Sequence, residues 1–263
     1  MSSHSFAERD INLPTGVLRV RSGGEGRNVV HLHSAAGPRL SPVIEMLAAH
    51  HKVHSPFAPG FDGTPVHAGV ETIEDLADLV AVFIRQECGG KCDLIGESFG
   101  GWIAAWVAVK HPDLVWQVVL EAPAGLRPGG KGGLPDDPEA RQRALYAVPE
   151  RAPAETRSAS TLMANRKATV LYGNRVAYDE ALADRLATIK ARTLILMGTQ
   201  DTIIPAETGQ LLKAHIPQSH LTYIHGAAHA LEFDQPKRVG NLVIDFLDRG
   251  ESFLVREKTS ALT

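Results

Sequence analysis

Short apolar runs alternate with segments of helical periodicity along most of this chain, and this alternation restricts the fold more than any other feature. The runs NVVHL, DLIG, VWQVVLE and RTLILM are largely apolar, as in strands that are buried on both faces. Residues 71–86 place Ile73, Leu76 and Val80 on one helical face behind a possible Thr72–Asp75 capping box. Strands that alternate with helices predict an α/β fold, a mostly parallel sheet with helices on both faces.

The bulk composition argues against several classes of protein. The 263 residues include 44% hydrophobic and 22% charged side chains and carry a formal net charge of -3, which predicts neither a nucleic-acid partner nor an anionic membrane surface. The chain has no run of about 18 apolar residues, and its start, MSSHSFAERDINLPTG, has no basic segment followed by an apolar one. We therefore expect a cytoplasmic protein without a membrane span.

Two cysteines, Cys88 and Cys92, lie in the stretch CGGKC. Two thiols do not make a four-ligand zinc site, and their spacing fits no common redox motif. We interpret them as reduced thiols near a helix end and a strand start, and we predict no metal and no other cofactor. The sequence leaves the oligomeric state open.

The alternation of strands and helices is interrupted between residues 125 and 190. This segment opens with GLRPGGKGGLPDDP, whose glycines and prolines predict a loop, and continues with helical stretches that contain few large apolar residues. It has 11 Lys or Arg and 8 Asp or Glu residues, a local charge of +3. We interpret residues 125–190 as an insertion that covers part of the sheet, and residues 1–124 and 191–263 as one core domain.

The stretch DLIGESFGGW, residues 93–102, places a serine in a tight turn between a predicted strand and a predicted helix. Its centre, Gly96 to Gly100, fits the pattern G-x-S-x-G, in which glycines relieve crowding where a strand turns sharply into a helix. The pentapeptide alone is a weak signal, but here it has both flanking elements. Ser98 would lie near a helix N-terminus, which favours developing negative charge, and it is therefore our candidate nucleophile.

A serine nucleophile needs a base, and the base needs an orienting carboxylate. Asp201 lies just past the predicted strand RTLILMG, and His229 lies just past the predicted strand HLTYIHG. Because ligands bind at the carboxyl ends of the strands in such sheets, we expect Ser98, Asp201 and His229 to lie together there. Their chain order, Ser then Asp then His, is the order that this architecture requires.

Other acidic residues compete for the orienting role. Asp201 itself could serve only as a helix cap, and Glu121, at the end of the strand VWQVVLE, is a second candidate acid that we rank below Asp201. We expect the side chain of Glu97 to point under the turn rather than toward substrate.

Other histidines compete for the role of base. His225 falls where the last predicted strand should still be running, which favours a buried or hydrogen-bonded structural role. His31 and His33 lie in another predicted strand, and we expect structural roles for both.

Taken together, the stretches HLHSAAGP, APGFDGT, GESFGG, GTQDTIIP and GAAHALEFDQP resemble the α/β-hydrolase superfamily in its serine-nucleophile branch. The resemblance covers nearly the whole chain outside residues 125–190, which would correspond to the variable helical cap of that family. It implies an oxyanion hole formed by the backbone N–H groups of Phe99 and Ala35. Ser34 stands where glycine is usual, and its hydroxyl would either assist the oxyanion or fill space.

The resemblance implies a serine hydrolase that cleaves a small carboxylic ester or related acyl substrate through an acyl-enzyme. The alternative within enzymes is a carbon–carbon bond hydrolase of dienoate ring-cleavage products, in which an arginine of the cap stretch ANRKA would meet a carboxylate. Against that alternative, HSAAGP lacks the Gly-rich loop that is usual there. A non-catalytic small-ligand receptor on the same fold is the alternative from another class.

A pocket for a small-molecule substrate is expected beside Ser98, and its lining is predicted to be mainly apolar. The candidate lining residues are Ser34, Trp102, Leu126, Met163, Tyr172, Ile203 and Leu231.

Overall fold

The computed structural model describes residues 5–250, so residues 1–4 and 251–263 of the predicted core domain lie outside the described residues. Within residues 5–250 the chain forms one eight-stranded sheet. Its strands are β1 (Ala7–Leu13), β2 (Gly16–Gly23), β3 (Asn28–Leu32), β4 (Lys52–Pro56), β5 (Cys92–Glu97), β6 (Val115–Glu121), β7 (Arg192–Gly198) and β8 (Ser219–Ile224).

The spatial order of the strands is β1-β2-β4-β3-β5-β6-β7-β8. Strands β1, β2 and β4 pair antiparallel, whereas β4, β3, β5, β6, β7 and β8 run parallel to one another. The predicted mostly parallel sheet is therefore confirmed. Every residue of β5 is buried, which explains why this central strand reads as an apolar run.

Helices flank the sheet. They are α1 (Pro42–Leu47), α2 (Ile73–Glu87), α3 (Phe99–Lys110), α4 (Pro138–Leu145), α5 (Ala159–Gly173), α6 (Glu180–Ala183), α7 (Ala206–His215), α8 (Leu231–Asp234) and α9 (Pro236–Arg249). Helix α1 packs on α9, and α2 packs on α3. Helix α2 begins at the predicted capping box, in which the Thr72 hydroxyl accepts from the Asp75 amide while the Asp75 carboxylate accepts from the Thr72 amide.

Helices α4, α5 and α6 all lie between β6 and β7, in the segment 125–190 that we call the cap. Asp179 of the cap accepts hydrogen bonds from the indole N–H groups of Trp102 and Trp106 on α3, each at 2.8 Å. Asn165 on α5 donates to Asp62 at 2.7 Å and accepts from the amide of Asp62 at 2.8 Å. Polar contacts such as these join the cap to the sheet domain, while the exact domain boundaries stay a prediction.

The described part of the chain, residues 5–250, includes no helix that is long and apolar enough to cross a membrane.

Candidate active site

Ser98 occupies a strained turn between β5 and α3. Strand β5 ends at Glu97, α3 begins at Phe99, and Ser98 between them has φ 52° and ψ -108° with only 7% of its surface exposed. A positive φ is uncommon for a residue with a side chain, and such strained residues cluster at functional sites. The geometry matches the sharp strand-to-helix turn that the pattern G-x-S-x-G predicts.

Two glycines make this turn possible. A Cβ atom on Gly96 would lie 2.3 Å from the carbonyl oxygen of Gly100, and a Cβ on Gly100 would lie 2.1 Å from the carbonyl oxygen of Leu32. Both distances are far below van der Waals contact with backbone atoms that have no room to move. The first turn of α3 therefore packs directly against the ends of β5 and β3, as the crowding argument from the sequence requires.

Asp201 and His229 are paired. Nδ1 of His229 lies 2.9 Å from Oδ2 of Asp201, and the other carboxylate oxygen accepts from the amides of Ile203 and Ile204 at 2.8 and 2.9 Å. Burial disfavours the charged form of His229, but the charge of Asp201 and the hydrogen bond with it outweigh burial, so the pKa of His229 lies above its ordinary value. The Asp201 side chain is fully buried, so water does not compete for this contact.

The three candidate residues follow the carboxyl ends of three parallel strands. Ser98 comes directly after β5, Asp201 comes three residues after the end of β7, and His229 comes five residues after the end of β8. All three strands run in the same direction, so these ends lie at one edge of the sheet. This edge is where open α/β sheets bind their ligands.

The candidate oxyanion donors are the residue that follows Ser98 and a residue of the loop after β3. Phe99 is the first residue of α3, so its backbone N–H has no acceptor within the helix. Ala35 lies in the loop after β3, where the amide of Gly37 donates to the carbonyl of Ser34 at 2.9 Å and closes a turn. Both Ser34 and Ala35 are half-buried.

His33 holds this loop in place. Its Nδ1 lies 2.8 Å from the Ser34 carbonyl oxygen, and its Nε2 accepts from the Ala58 amide at 3.1 Å. Burial lowers the pKa of His33 to about 4, so the ring is neutral near pH 7. The ring acts as a hydrogen-bonded spacer between two loops, which agrees with the structural role expected for it.

Buried carboxyl groups gather beneath Ser98. Burial, aided by the charge of Glu232, raises the pKa of Glu97 to about 7. Glu121 pairs in register with Glu97 across β5 and β6; burial and these two neighbours raise its pKa well above the ordinary value. Glu232 contacts His31 at 3.1 Å. The side-chain oxygens of Glu121 have no hydrogen-bond partner among the described residues, whereas Asp201 contacts His229 directly, so the geometry favours Asp201 as the orienting acid.

The expectation for His225 was wrong. Strand β8 ends at Ile224, one residue earlier than the pattern HLTYIHG suggests, and His225 is exposed. The chain leaves the sheet here because Gly226 adopts φ 72° and starts the loop that leads to His229. Within the described residues, the backbone carbonyl of His225 accepts a hydrogen bond from Arg238 at 3.3 Å, and its side chain makes none.

The alternative function, carbon–carbon bond hydrolysis, requires the arginine of the cap stretch ANRKA to face a substrate carboxylate. The side chain of this arginine, Arg166, is instead exposed on the cap. The side chain of Arg166 is 67% exposed and lies 3.8 Å from Asp136 of the cap. Asn165 and Ala168 are the buried residues of that stretch, and Asn165 contacts Asp62.

Most candidate pocket residues are buried. Trp102, Leu126, Tyr172, Ile203 and Leu231 have at most 7% of their surface exposed. Two of them have polar partners, because Trp102 donates to Asp179 and the Tyr172 hydroxyl donates to the Pro59 carbonyl at 2.9 Å. Met163 differs from the others, since it is 57% exposed on the outer face of α5.

Cys88 and Cys92 are both free and buried. Among residues 5–250, no three His, Cys, Asp or Glu side chains are grouped so that they could hold a metal ion.

One buried carboxylate near this site did not stand out in the sequence. Asp234 is fully buried and accepts backbone N–H groups both from the cap and from the loop before His229. Its sequence signal, an Asp two residues before Pro236, indicates only the start of a helix. Asp179, likewise, looks like an ordinary helix cap in the sequence, and it does cap α6 by accepting from the Leu182 amide.

The fold and the edge that carries Ser98 are those of an alpha/beta hydrolase, and the chain belongs to this family: the family's sequence model matches residues 29–242. Among curated relatives, 2-hydroxy-6-oxo-2,4-heptadienoate hydrolase of Pseudomonas putida is 30% identical over 261 residues, which cover 85% of this chain and 90% of that protein. Pimeloyl-[acyl-carrier protein] methyl ester esterase of Aeromonas salmonicida is 25% identical over 255 residues, which cover 88% and 99%.

A solved structure has the same fold. It is a serine hydrolase involved in carbazole degradation, with a TM-score of 0.75 and 23% sequence identity over 92% of this chain and 99% of that one. The predicted superfamily and fold class are therefore confirmed.

Proposed function

We propose that this hydrolase cleaves a small carboxylic ester or related acyl substrate with Ser98 as the nucleophile. The observation that carries the proposal is the strained, glycine-flanked turn at Ser98 together with the buried Asp201–His229 pair at the same edge of the sheet. A serine in this turn, a histidine base and an orienting carboxylate are the parts that acyl transfer needs.

In the proposed mechanism, Nε2 of His229 takes the proton of the Ser98 hydroxyl as the oxygen attacks the substrate carbonyl carbon. The contact of Nδ1 with Asp201 fixes the tautomer that leaves Nε2 free to accept, and it stabilises the imidazolium that forms. His229 then gives the proton to the leaving alcohol. Water, deprotonated by His229, attacks the acyl carbon; the bond to the Ser98 oxygen breaks, His229 returns the proton to that oxygen, and the acid is released.

The backbone N–H groups of Phe99 and Ala35 would stabilise the negative charge on the carbonyl oxygen during both steps. Removing one such donor typically costs about 3–4 kcal/mol of transition-state stabilisation. The helix that begins at Phe99 adds its N-terminal dipole on the same side. The cap lies over this edge in our proposal, and its side chains would complete the pocket.

Carbon–carbon bond hydrolysis is the second candidate. The identity of 30% to the heptadienoate hydrolase favours it, because the esterase relative is only 25% identical. The outward position of Arg166 favours the ester instead, since this side chain was the expected partner for a dienoate carboxylate. We therefore keep ester hydrolysis as the leading proposal.

A fluorophosphonate probe tests the nucleophile. We expect the wild-type protein to be labelled and Ser98→Ala to stay unlabelled while both melt at a similar temperature. A folded wild-type protein that resists the probe would refute the nucleophile and would favour a small-ligand receptor.

A substrate panel tests the bond that is cleaved. It should contain short and long p-nitrophenyl esters, lactones and a dienoate ketone. We expect turnover of short esters, whereas turnover of the dienoate alone would replace the leading proposal with the second candidate.

A further inference from the structure

The loop that carries His229 is attached to the cap by one buried carboxylate. Asp234 has no exposed surface, and its Oδ2 accepts from the backbone amide of Ala228 at 2.8 Å. Ala228 immediately precedes His229. The same oxygen accepts from the amide of Ala147 in the cap at 2.9 Å. One oxygen atom thus joins the backbone beside the candidate base to the backbone of the cap.

Further hydrogen bonds extend this junction on both sides. Oδ1 of Asp234 accepts from the Val148 amide at 3.2 Å, and Arg151 donates to the Asp234 carbonyl at 2.5 Å. On the other side of His229, the amide of Ala230 donates to the carbonyl of Leu145 at 2.8 Å. The backbone on each side of His229 is therefore bonded within the junction, and cap residues 145–151 supply every cap partner.

We propose that Asp234 is a positioning residue for His229, so that proton transfer at Ser98 reaches its full rate only while the cap is docked on the histidine loop. This inference rests on the proposed role of Ser98 and His229. Small displacements of a base lower the rate sharply, since about 1 Å of misplacement can cost about 100-fold. A buried carboxylate with three amide donors is a rigid attachment, because charge-assisted hydrogen bonds are shorter and stronger than neutral ones.

Asp179 provides a matched control. It is also a carboxylate that holds the cap through three N–H donors, namely the indoles of Trp102 and Trp106 and the amide of Leu182. It ties the cap to α3 and has no hydrogen bond to the loop at residues 228–234. Removing Asp179 loosens the attachment of the cap to α3, whereas removing Asp234 loosens both the cap and the loop that carries His229.

The test compares Asp234→Ala, Asp234→Asn and Asp179→Ala in the full-length protein. The measurements are kcat and KM for a p-nitrophenyl ester and the melting temperature. We expect kcat to fall about 30-fold or more in Asp234→Ala and to change less than about threefold in Asp179→Ala, while both variants melt below wild type. Asp234→Asn keeps an acceptor oxygen for Ala228 and should lose only about threefold to tenfold of kcat.

A spectroscopic measurement separates positioning from mere stability. The downfield proton NMR signal of the His229–Asp201 hydrogen bond should weaken in Asp234→Ala and persist in Asp179→Ala. This signal requires no turnover, so it tests the positioning role even if the enzyme hydrolyses none of the esters. Absence of probe labelling in wild type would therefore count against the proposed function alone.

Two results would overturn the positioning role. One is an Asp234→Ala protein whose kcat and NMR signal match those of Asp179→Ala. The other applies if Asp234→Ala does not fold: an Asp234→Asn protein with wild-type kcat and an unchanged signal would then reject the inference.

Discussion

The sheet domain and the cap are held together by different kinds of interaction. Strands such as β5 are buried along their whole length, and their apolar side chains form a continuous core. In the cap, α5 buries only four of its fifteen residues, and polar groups such as the buried Asn165 and the half-buried Asp179 make the attachments. Apolar packing therefore holds the strand ends in place, whereas a few directional hydrogen bonds hold the cap against the sheet domain.

The two regions also differ in charge. The cap, residues 125–190, has 11 Lys or Arg against 8 Asp or Glu, whereas the rest of the chain has 16 against 22. The cap is therefore net positive and the remainder net negative, although the whole chain carries only -3. Opposite net charges favour docking of the cap, and salt screens this long-range attraction.

The largest expected effect separates two histidines of the sheet domain. His229→Ala should lower kcat about 1,000-fold or more, because it removes the proposed base, whereas His225→Ala should change kcat less than about twofold. Steady-state ester hydrolysis by both variants, with melting temperatures measured alongside, is the check. A larger loss in His225→Ala would reassign the base and would remove the functional significance of the Asp201–His229 pair.

The next effect contrasts a glycine of the sheet domain with one of the cap. Gly100→Ala places a Cβ 2.1 Å from the Leu32 carbonyl oxygen, and we expect it to lower the free energy of unfolding by about 3 kcal/mol or more, roughly 10 °C in melting temperature. Gly129→Ala meets open space at φ 63°, so only backbone strain of about 1 kcal/mol applies. Thermal denaturation of both variants is the measurement. Equal melting temperatures would refute the crowding argument for the turn.

The smallest expected effect concerns how stability depends on pH, compared for a carboxyl group of the sheet domain, Glu121, and one of the cap, Glu155. Burial raises the pKa of Glu121 above its ordinary value of 4.5, so the stability that its protonated form contributes is present below about pH 4.5 and is lost as the pH rises. Above pH 5, Glu121→Gln should therefore gain stability relative to wild type, by at most about 1.4 kcal/mol per pH unit.

Glu155 in the cap should behave in the opposite way. Its hydrogen bonds with Arg157 lower the pKa of Glu155 to about 2, so its contribution is present above its ordinary pKa and is lost as the pH falls toward 2. Glu155→Gln should therefore lower the melting temperature modestly and by a constant amount above pH 5, and its difference from wild type should shrink as the pH falls toward 2. Melting curves at a series of pH values check both variants, and parallel curves for Glu121→Gln and wild type would contradict the first expectation.

The sequence predicted the sheet well because its signals are local. A strand buried on both faces reads as an apolar run, and the capping box at Thr72 specifies where α2 begins, so both were recognisable without tertiary information. The turn at Ser98 was recognisable for the same reason, since steric crowding demands glycine at fixed positions on both sides. The roles of Ser98, Asp201 and His229 stay predictions, although the structure places Asp201 and His229 in hydrogen-bond contact.

Other features depend on contacts between distant segments and were not predictable. The end of β8 is set by the turn at Gly226, and a shift of one residue was enough to turn His225 from buried to exposed. Met163 looks like a pocket residue by type, but only the packing of α5 decides which of its faces is exposed. Asp234 accepts hydrogen bonds from backbone amides of distant segments. Because nearly every residue has a backbone amide, the sequence does not show which amides these are.

The junction at Asp234 has a consequence for how such proteins diverge. On the cap side, the carboxylate recognises only the backbone N–H groups of Ala147 and Val148, which every amino acid except proline supplies. Substitutions at these two positions can therefore accumulate without breaking the attachment. Selection for a new substrate can therefore change the side chains of the cap while the hydrogen bonds from Asp234 to the cap and to the histidine loop are retained. Rapid change in specificity and slow change in chemistry can thus coexist within one short chain.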